Sequence, residues 1–252
     1  MNRVTTGLVV LAAALAGSPV SAATVVTPTA PQGWEVYTYG ASVPAPYGAI
    51  TSARPHLGNG SAEIRLYDEG QTMVQWWYQL ATPAPLSSMN QLSFDWFVSS
   101  TSTTPAWTTP AFAMYLSTGG YLIWEGAYNG TMPSAPQDTW VSSDILGDNF
   151  WWDSSGAGLC DAAAAYETLA WFNTNCFGGT AEVIGFSPFL GNGYIGTQFH
   201  GAFDNVAYGF RDGASDRFNF EVTATVPEPA TLALLGVGLA GLAASRRRKQ
   251  QA

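Results

Sequence analysis

The chain has 252 residues, of which 13% are aromatic and only 11% charged, with 27 glycines and 15 prolines. Its formal charge is -9, but five of its nine basic residues lie at the two ends; between residues 24 and 225, four arginines (Arg54, Arg65, Arg211, Arg217) face 17 acids, a net of -13 without one lysine. Such a surface repels phosphate backbones and excludes nucleic-acid binding, and the composition is not that of a helical protein.

The chain begins with Met1-Asn2-Arg3, an apolar run over 8–16 and the small residues Val20-Ser21-Ala22. This is the order of a secretory signal peptide, assigned to 1–23 and removed by signal peptidase after Ala22 or Ala23. Its apolar run is too short to span a bilayer. Residues 24–225 then suffice for one domain with a full core.

Within that domain, period-two alternation of aromatic and β-branched residues predicts a series of strands. The first two cover 62–66 and 72–80; the second puts Val74, Trp76, Tyr78 and Leu80 on one face and Gln75, Trp77 and Gln79 on the other. A strand over 91–98 follows, then a hairpin of 111–116 and 121–124 across Gly119-Gly120, and strands over 139–143, 181–188 and 197–210. Asn59-Gly60, Asn129-Gly130 and Asn192-Gly193 supply the positive φ angles of tight turns. Residues 149–158, with Phe150, Trp151 and Trp152, read as a loop, and the alanine-rich stretch 161–170 reads as the one short helix, capped by Asp161. Cys160 and Cys176 flank it, and in an exported chain they predict a disulfide. The loop it closes is worth about 3 kcal/mol in the chain-entropy view. Many short strands with regular turn signals give the fold class: all-β, an antiparallel β-sandwich of jelly-roll type.

The tail, 226–252, changes character again. Val226-Pro227-Glu228-Pro229 cannot continue a helix or ladder, 231–244 is apolar, and Arg246-Arg247-Arg248-Lys249 follows. The basic cluster belongs on the cytoplasmic side with the apolar segment in the inner membrane as a sorting helix, and the short run suits a transient span. Pro227-Glu228-Pro229, the apolar run and the basic cluster together resemble the PEP-CTERM sorting signal. That resemblance implies recognition and removal by an exosortase, a membrane cysteine protease of transpeptidase type. It also implies release or attachment at the surface, commonly in bacteria that make exopolysaccharide and biofilm matrix; related tails occur on proteins labelled ice-binding.

No catalytic motif is present: there is no G-x-S-x-G, no H-E-x-x-H and no phosphate loop, and the only histidines are His56 and His200. A glycoside hydrolase would need two convergent carboxylates, for which Glu125 and Asp95 are the candidates. In Phe203-Asp204-Asn205-Val206, alternation places Asp204 on the apolar face with Val206 and Tyr208, where an acid needs a hydrogen-bond partner or a metal. Residues 201–208 resemble the closing strand of jelly-roll carbohydrate-binding modules, which implies a structural calcium ligand at Asp204 with Glu63 as its counterpart. Trp77, Trp107, Trp151 and Trp152 are candidates for stacking on sugar rings, against the alternative of ordinary packing. The expectation is an exported, exosortase-processed, non-catalytic surface or matrix protein that binds carbohydrate. The alternatives are a secreted glycan hydrolase or lyase, and an ice-binding protein. The last is poorly served by the threonine-rich stretch 101–109, which Pro105 and Trp107 interrupt.

Overall fold

The computed structural model of the chain describes residues 22–40, 45–67, 72–153, 160, 166–191 and 196–224. The described residues form fourteen strands: β1 (Thr24–Val26), β2 (Trp34–Tyr39), β3 (Tyr47–Thr51), β4 (Ser61–Tyr67), β5 (Met73–Pro85), β6 (Met89–Val98), β7 (Ala111–Leu116), β8 (Tyr121–Trp124), β9 (Trp140–Asp144), β10 (Asn149–Asp153), β11 (Glu167–Thr168), β12 (Glu182–Leu190), β13 (Gln198–Phe210) and β14 (Ser215–Phe220). They form two seven-stranded sheets. The first runs β1-β14-β13-β4-β3, with β6 on the other side of β13 and β9 beyond it; the second runs β11-β10-β8-β7-β12-β5-β2. All pairings are antiparallel except β1 with β14. This is the expected jelly-roll sandwich.

The core lies between the sheets because alternate residues of each strand point inward. Ile64, Leu66, Phe94, Trp96, Phe199 and Phe203 of the first sheet meet Trp76, Leu80, Phe112, Met114 and Phe186 of the second, all buried. Aromatic rings meet edge to face, as Phe94 does with Trp124 (5.4 Å, 90°) and Trp34 with Phe218 (5.3 Å, 87°); each such pair adds about 0.5–1.5 kcal/mol beyond burial.

Three expectations need correction. Residues 149–153 are strand β10, not loop: Phe150 points to the core while Trp151 is on the outer face. The helix is α1 (Leu169–Asn175), capped by Thr168, whose hydroxyl accepts from the Trp171 N–H. Tyr166 precedes it without helical structure and Glu167–Thr168 is a strand, while residues 161–165 lie outside the described set. The Cys160–Cys176 disulfide is formed, with Cys176 at the C-terminal cap of α1. Third, Asp204 is out of phase with Val206. The β13 register shifts between Asp204 and Ala207 and Asn205 adopts φ 52°, a β-bulge, so that Phe203 and Val206 both point into the core.

No helix among the described residues is long and apolar enough to cross a membrane. Residues 1–21 of the signal peptide, the Asn192-Gly193 turn, the apolar run 231–244 and the sorting residues Pro227, Glu228, Pro229, Arg246, Arg247 and Arg248 lie outside the described residues.

Candidate ligand-binding face

The outer surface of the second sheet is built on a row of small residues. β7 turns Ala111 and Ala113 outward, beside Ile123 of β8, and these three form a small apolar floor. Tyr115, Tyr121, Trp151 and Phe189 stand around it, half-buried. Strand register explains the grouping: Trp151 pairs with Ile123 and Ile123 with Ala113, while Asp153 pairs with Tyr121 and Tyr121 with Tyr115. On the next strand Ala111 pairs with Phe189. Ala111 and Ile123, flanked by the rings of Tyr121, Trp151 and Phe189, line a cavity of about 360 Å³.

Loops complete it. Trp107 enters from the segment before β7, its carbonyl accepting from Thr131 Oγ1 at 2.9 Å. Glu125 follows the last residue of β8, and the turn after it is pinned by Asn129. The Asn129 amide donates to the Glu125 carbonyl (3.0 Å) and the Asn149 carbonyl (2.9 Å), and its oxygen accepts from the Asn149 N–H (2.9 Å). Gly126 packs tightly at this corner: a Cβ there would lie 2.8 Å from Thr109 Oγ1 and would displace the Thr109 or Thr131 side chain. Tyr128, exposed, stacks on Tyr166 at 3.9 Å and 30°.

The polar groups of the face are coupled to its rings. Tyr121 OH donates to Asp153 Oδ2 (3.0 Å), and Gln75 Nε2 donates to the Tyr115 hydroxyl (2.7 Å). Burial, reinforced by the neighbouring Tyr121, pushes the Tyr115 hydroxyl up to about 12. Burial also raises the Glu125 carboxyl above the usual carboxylate range, against the opposing pull of the Trp151 indole N–H. Trp77 lies beside the cavity: it meets Tyr115 edge-on at 4.6 Å, over Gly185, where a Cβ would come within 2.5 Å of the indole.

Of the four tryptophans singled out, Trp107 and Trp151 line the cavity and Trp77 shares its face. Trp152 does not: one residue on from Trp151, it packs against the core and meets Phe177 at 4.9 Å. Tyr121, Tyr128 and Asp153 are further members that the sequence analysis missed; the period-two phase of β10 would have found Asp153 through Trp151.

The remaining candidates belong to the first sheet. Glu63 is fully buried and held by Arg54 (2.5 Å) and Arg65 (2.9 Å). Asp95 contacts His56 Nε2 (2.7 Å) and accepts from Asn205 Nδ2 (2.9 Å). It therefore shares no cleft with Glu125, which lines the cavity of the second sheet. Asp204, fully buried, accepts from the N–H groups of Asn205 (2.7 Å) and Phe220 (2.8 Å) through Oδ1. Burial raises its carboxyl to about 8. Its Oδ2 and the nearby Asn219 Oδ1 are buried without a hydrogen-bond partner. No group of three or more His, Cys, Asp or Glu side chains suited to a metal occurs among the described residues. The stretch 101–109 forms no flat threonine array; Thr108 and Thr109 are buried.

The family model for the PEP-CTERM protein-sorting motif matches residues 225–249. No curated protein matches the chain. Among solved structures, the chain is similar to a family 11 carbohydrate-binding module from Clostridium thermocellum in complex with a β-1,3-1,4-mixed-linked tetrasaccharide. That similarity has 12% identity, 71% of this chain, 89% of the other and a TM-score of 0.43. It is also similar to the family 11 module of the cellulosomal cellulase Lic26A-Cel5E of that organism (12% identity, 68% and 86% covered, TM-score 0.37). A third similarity is to a structure described as a basis for promiscuous specificity of carbohydrate-binding modules of the β-sandwich superfamily (8%, 70% and 57% covered, TM-score 0.37). The sorting motif marks an exported chain processed by an exosortase, held at the membrane transiently and destined for the cell surface or the exterior.

Proposed function

We propose that this exported protein is a non-catalytic surface or matrix component whose second-sheet face binds extracellular polysaccharide. The observation that carries this reading is the convergence of Trp107 and Trp151 from separate segments on one cavity with an alanine floor. Half-buried aromatic faces stack on sugar rings, and the neighbouring Gln75, Glu125 and Asp153 supply hydrogen-bond partners for hydroxyl groups. Polysaccharide pull-down with the secreted protein tests it. Retention on at least one polymer, lost at least tenfold in Trp151→Ala, is expected for a central aromatic contact. Failure to retain any polymer removes the binding role and leaves the matrix role.

A second reading, a secreted glycan hydrolase, draws on a different pair from the one the sequence suggested. Glu125 and Asp153 both line the cavity, and the raised Glu125 carboxyl suits a general acid. Release of reducing ends from a bound polymer, abolished in Glu125→Gln, would establish it; binding without release leaves the non-catalytic reading.

A structural calcium at Asp204 is proposed on its unpartnered Oδ2 and that of Asn219 Oδ1, both oxygen donors of the kind calcium takes. A melting temperature raised by calcium and lowered by chelator, with neither response in Asp204→Asn, is the expected outcome; equal melting with and without calcium rejects the site.

A further inference from the structure

The acids of this domain lie on both sheets, but its strand-borne positive charges lie on the first sheet alone. No lysine or arginine occurs from residue 66 to residue 210. Every strand of the second sheet except β2 comes from that interval, and β2 (Trp-Glu-Val-Tyr-Thr-Tyr) has no basic residue either. The four arginines all lie elsewhere: Arg65 and Arg217 on strands of the first sheet, Arg54 in the loop that pairs with Glu63, and Arg211 in the turn between β13 and β14. The cavity itself is lined by two acids, Glu125 and Asp153, and by no lysine, arginine or histidine.

We infer that the ligand of this face is a cationic glycan, a polymer of free amino sugars, rather than a neutral or acidic one. This rests on the reading that the cavity binds polysaccharide. A uronate, sulfate or phosphate group entering here would meet carboxylates and no counter-charge, in a domain of net -13. A neutral sugar would stack on the rings and donate hydroxyl hydrogen bonds to the two carboxylates, but it would bring no positive charge to them. An ammonium group on the sugar ring uses both features at once. It pairs with Glu125 or Asp153, and it is attracted to the faces of Trp107 and Trp151, the side-chain type that holds cations best. The half-buried position of Glu125, which raises its carboxyl, adds a consequence: a bound ammonium favours the ionised form, so binding weakens as the solution is acidified through the Glu125 titration.

The experiment compares one backbone in two chemical states. The secreted protein is titrated calorimetrically with chitosan oligomers and with fully N-acetylated oligomers of the same length. Cello-oligomers serve as neutral and oligo-uronates as acidic references. Chitosan oligomers are expected to bind at least tenfold more tightly than the acetylated ones, by an amount that shrinks on adding salt, and the uronates not at all. The double variant Glu125→Gln/Asp153→Asn is expected to bring the ratio between the two oligomers close to one. Trp151→Ala is expected to weaken chitosan binding at least tenfold while leaving the net charge intact.

Equal affinity for acetylated and deacetylated oligomers overturns the inference and leaves polysaccharide binding in place. Undiminished chitosan binding by Trp151→Ala also overturns it, since bulk attraction of a polycation to an acidic protein would then explain the result. No binding of any oligomer fails the polysaccharide reading itself. If a variant does not fold, the acetylation and salt comparisons on the unaltered protein decide alone.

Discussion

The two outer faces of the sandwich are built by the same strand alternation and both carry acids and aromatic rings, yet the arginines belong to one alone, which is closed on itself while the other is open. On the first sheet, Glu63 sits between Arg54 and Arg65, Asp95 is met by His56 and Asn205, and His56 stacks on Trp140 at 4.3 Å. Arg54 also lies over the Phe97 ring, 5.4 Å from its centre. These acids, bases and rings satisfy one another, while Asp204 Oδ2 on the same sheet remains without a hydrogen-bond partner. On the second sheet the rings surround a cavity, and its acids have no base among the lining residues. An outward-facing carboxylate between aromatic residues is therefore not evidence of a site; what decides is whether the fold brings a counter-charge to it. Asp95 and Glu125 looked alike in the sequence, but Asp95 is buried within β6 with His56 and Asn205 as partners, whereas Glu125 is half-buried after β8 at the cavity.

The sharpest way to break the contrast is to unpair the closed face. Glu63→Ala removes a carboxylate with no exposed surface and leaves two guanidinium groups facing each other. A loss of about 3–5 kcal/mol is expected, measured by urea unfolding, with unaltered ligand binding on the opposite face. A loss below about 1 kcal/mol would make the network no more than a surface ion pair.

Asp204 gives the closed face a pH dependence of unusual sign. Its carboxyl is raised from 3.8 to about 8 in the folded state, chiefly by burial. Between those values the native protein holds a proton that the unfolded chain has released. Stability contributed by this group is therefore present at low pH and lost as pH rises from about 4 to about 8. In chelator, the melting temperature is expected to fall across that window, and Asp204→Asn is expected to flatten the fall. Calcium at Asp204 would reverse the trend by favouring the carboxylate. A wild-type profile that is flat in chelator contradicts the buried proton.

How much of this was legible follows from where period two is obeyed. The strands over 62–66 and 91–98 were found at or near their limits because each has one apolar and one largely polar face; those over 111–116 and 121–124 are apolar or aromatic on both faces and were found as short runs on either side of Gly119-Gly120. β2 was missed although its pattern alternates: it is an edge strand exposed along nearly its whole length, so no burial contrast separates its faces. β10 was missed because Trp151 and Trp152 are chemically alike, although they serve opposite faces. The phase of Asp204 was misread because a bulge inserts one residue, which no periodicity reveals. Alanine content drew the helix to 161–170, whereas the described helix starts from the Thr168 cap. The cavity was half legible: its tryptophans were singled out, but the alanine floor that gives it depth needed the strand register.

On the open face, the expected effects are smaller. Gly185→Ala places a methyl group 2.5 Å from the Trp77 ring and 2.6 Å from the Tyr78 carbonyl oxygen. The ring can turn away but the backbone cannot, so a loss of about 1–3 kcal/mol is expected. A change in tryptophan near-ultraviolet dichroism should accompany it as the Trp77–Tyr115 contact opens. Unchanged dichroism would mean that Trp77 is not seated over Gly185.

The smallest effect should come from Asn59, where the closed face reaches solvent. Its side-chain oxygen accepts from the N–H groups of Val222 (2.9 Å) and Thr223 (3.3 Å), and its amide donates to Thr223 Oγ1 (2.9 Å) and the Thr223 carbonyl (3.2 Å). Glu63 makes three side-chain hydrogen bonds against these four. A count of bonds would rank Asn59 above Glu63; burial ranks it far below, because water can replace the partners of a half-exposed amide and cannot reach those of a fully buried carboxylate. Asn59→Ala is expected to cost about 1 kcal/mol or less in global unfolding, while the amides of Val222 and Thr223 exchange with solvent at least several-fold faster. If Asn59→Ala proves as costly as Glu63→Ala, solvent access is not what separates the two positions, and the contrast between a closed and an open face loses its physical basis.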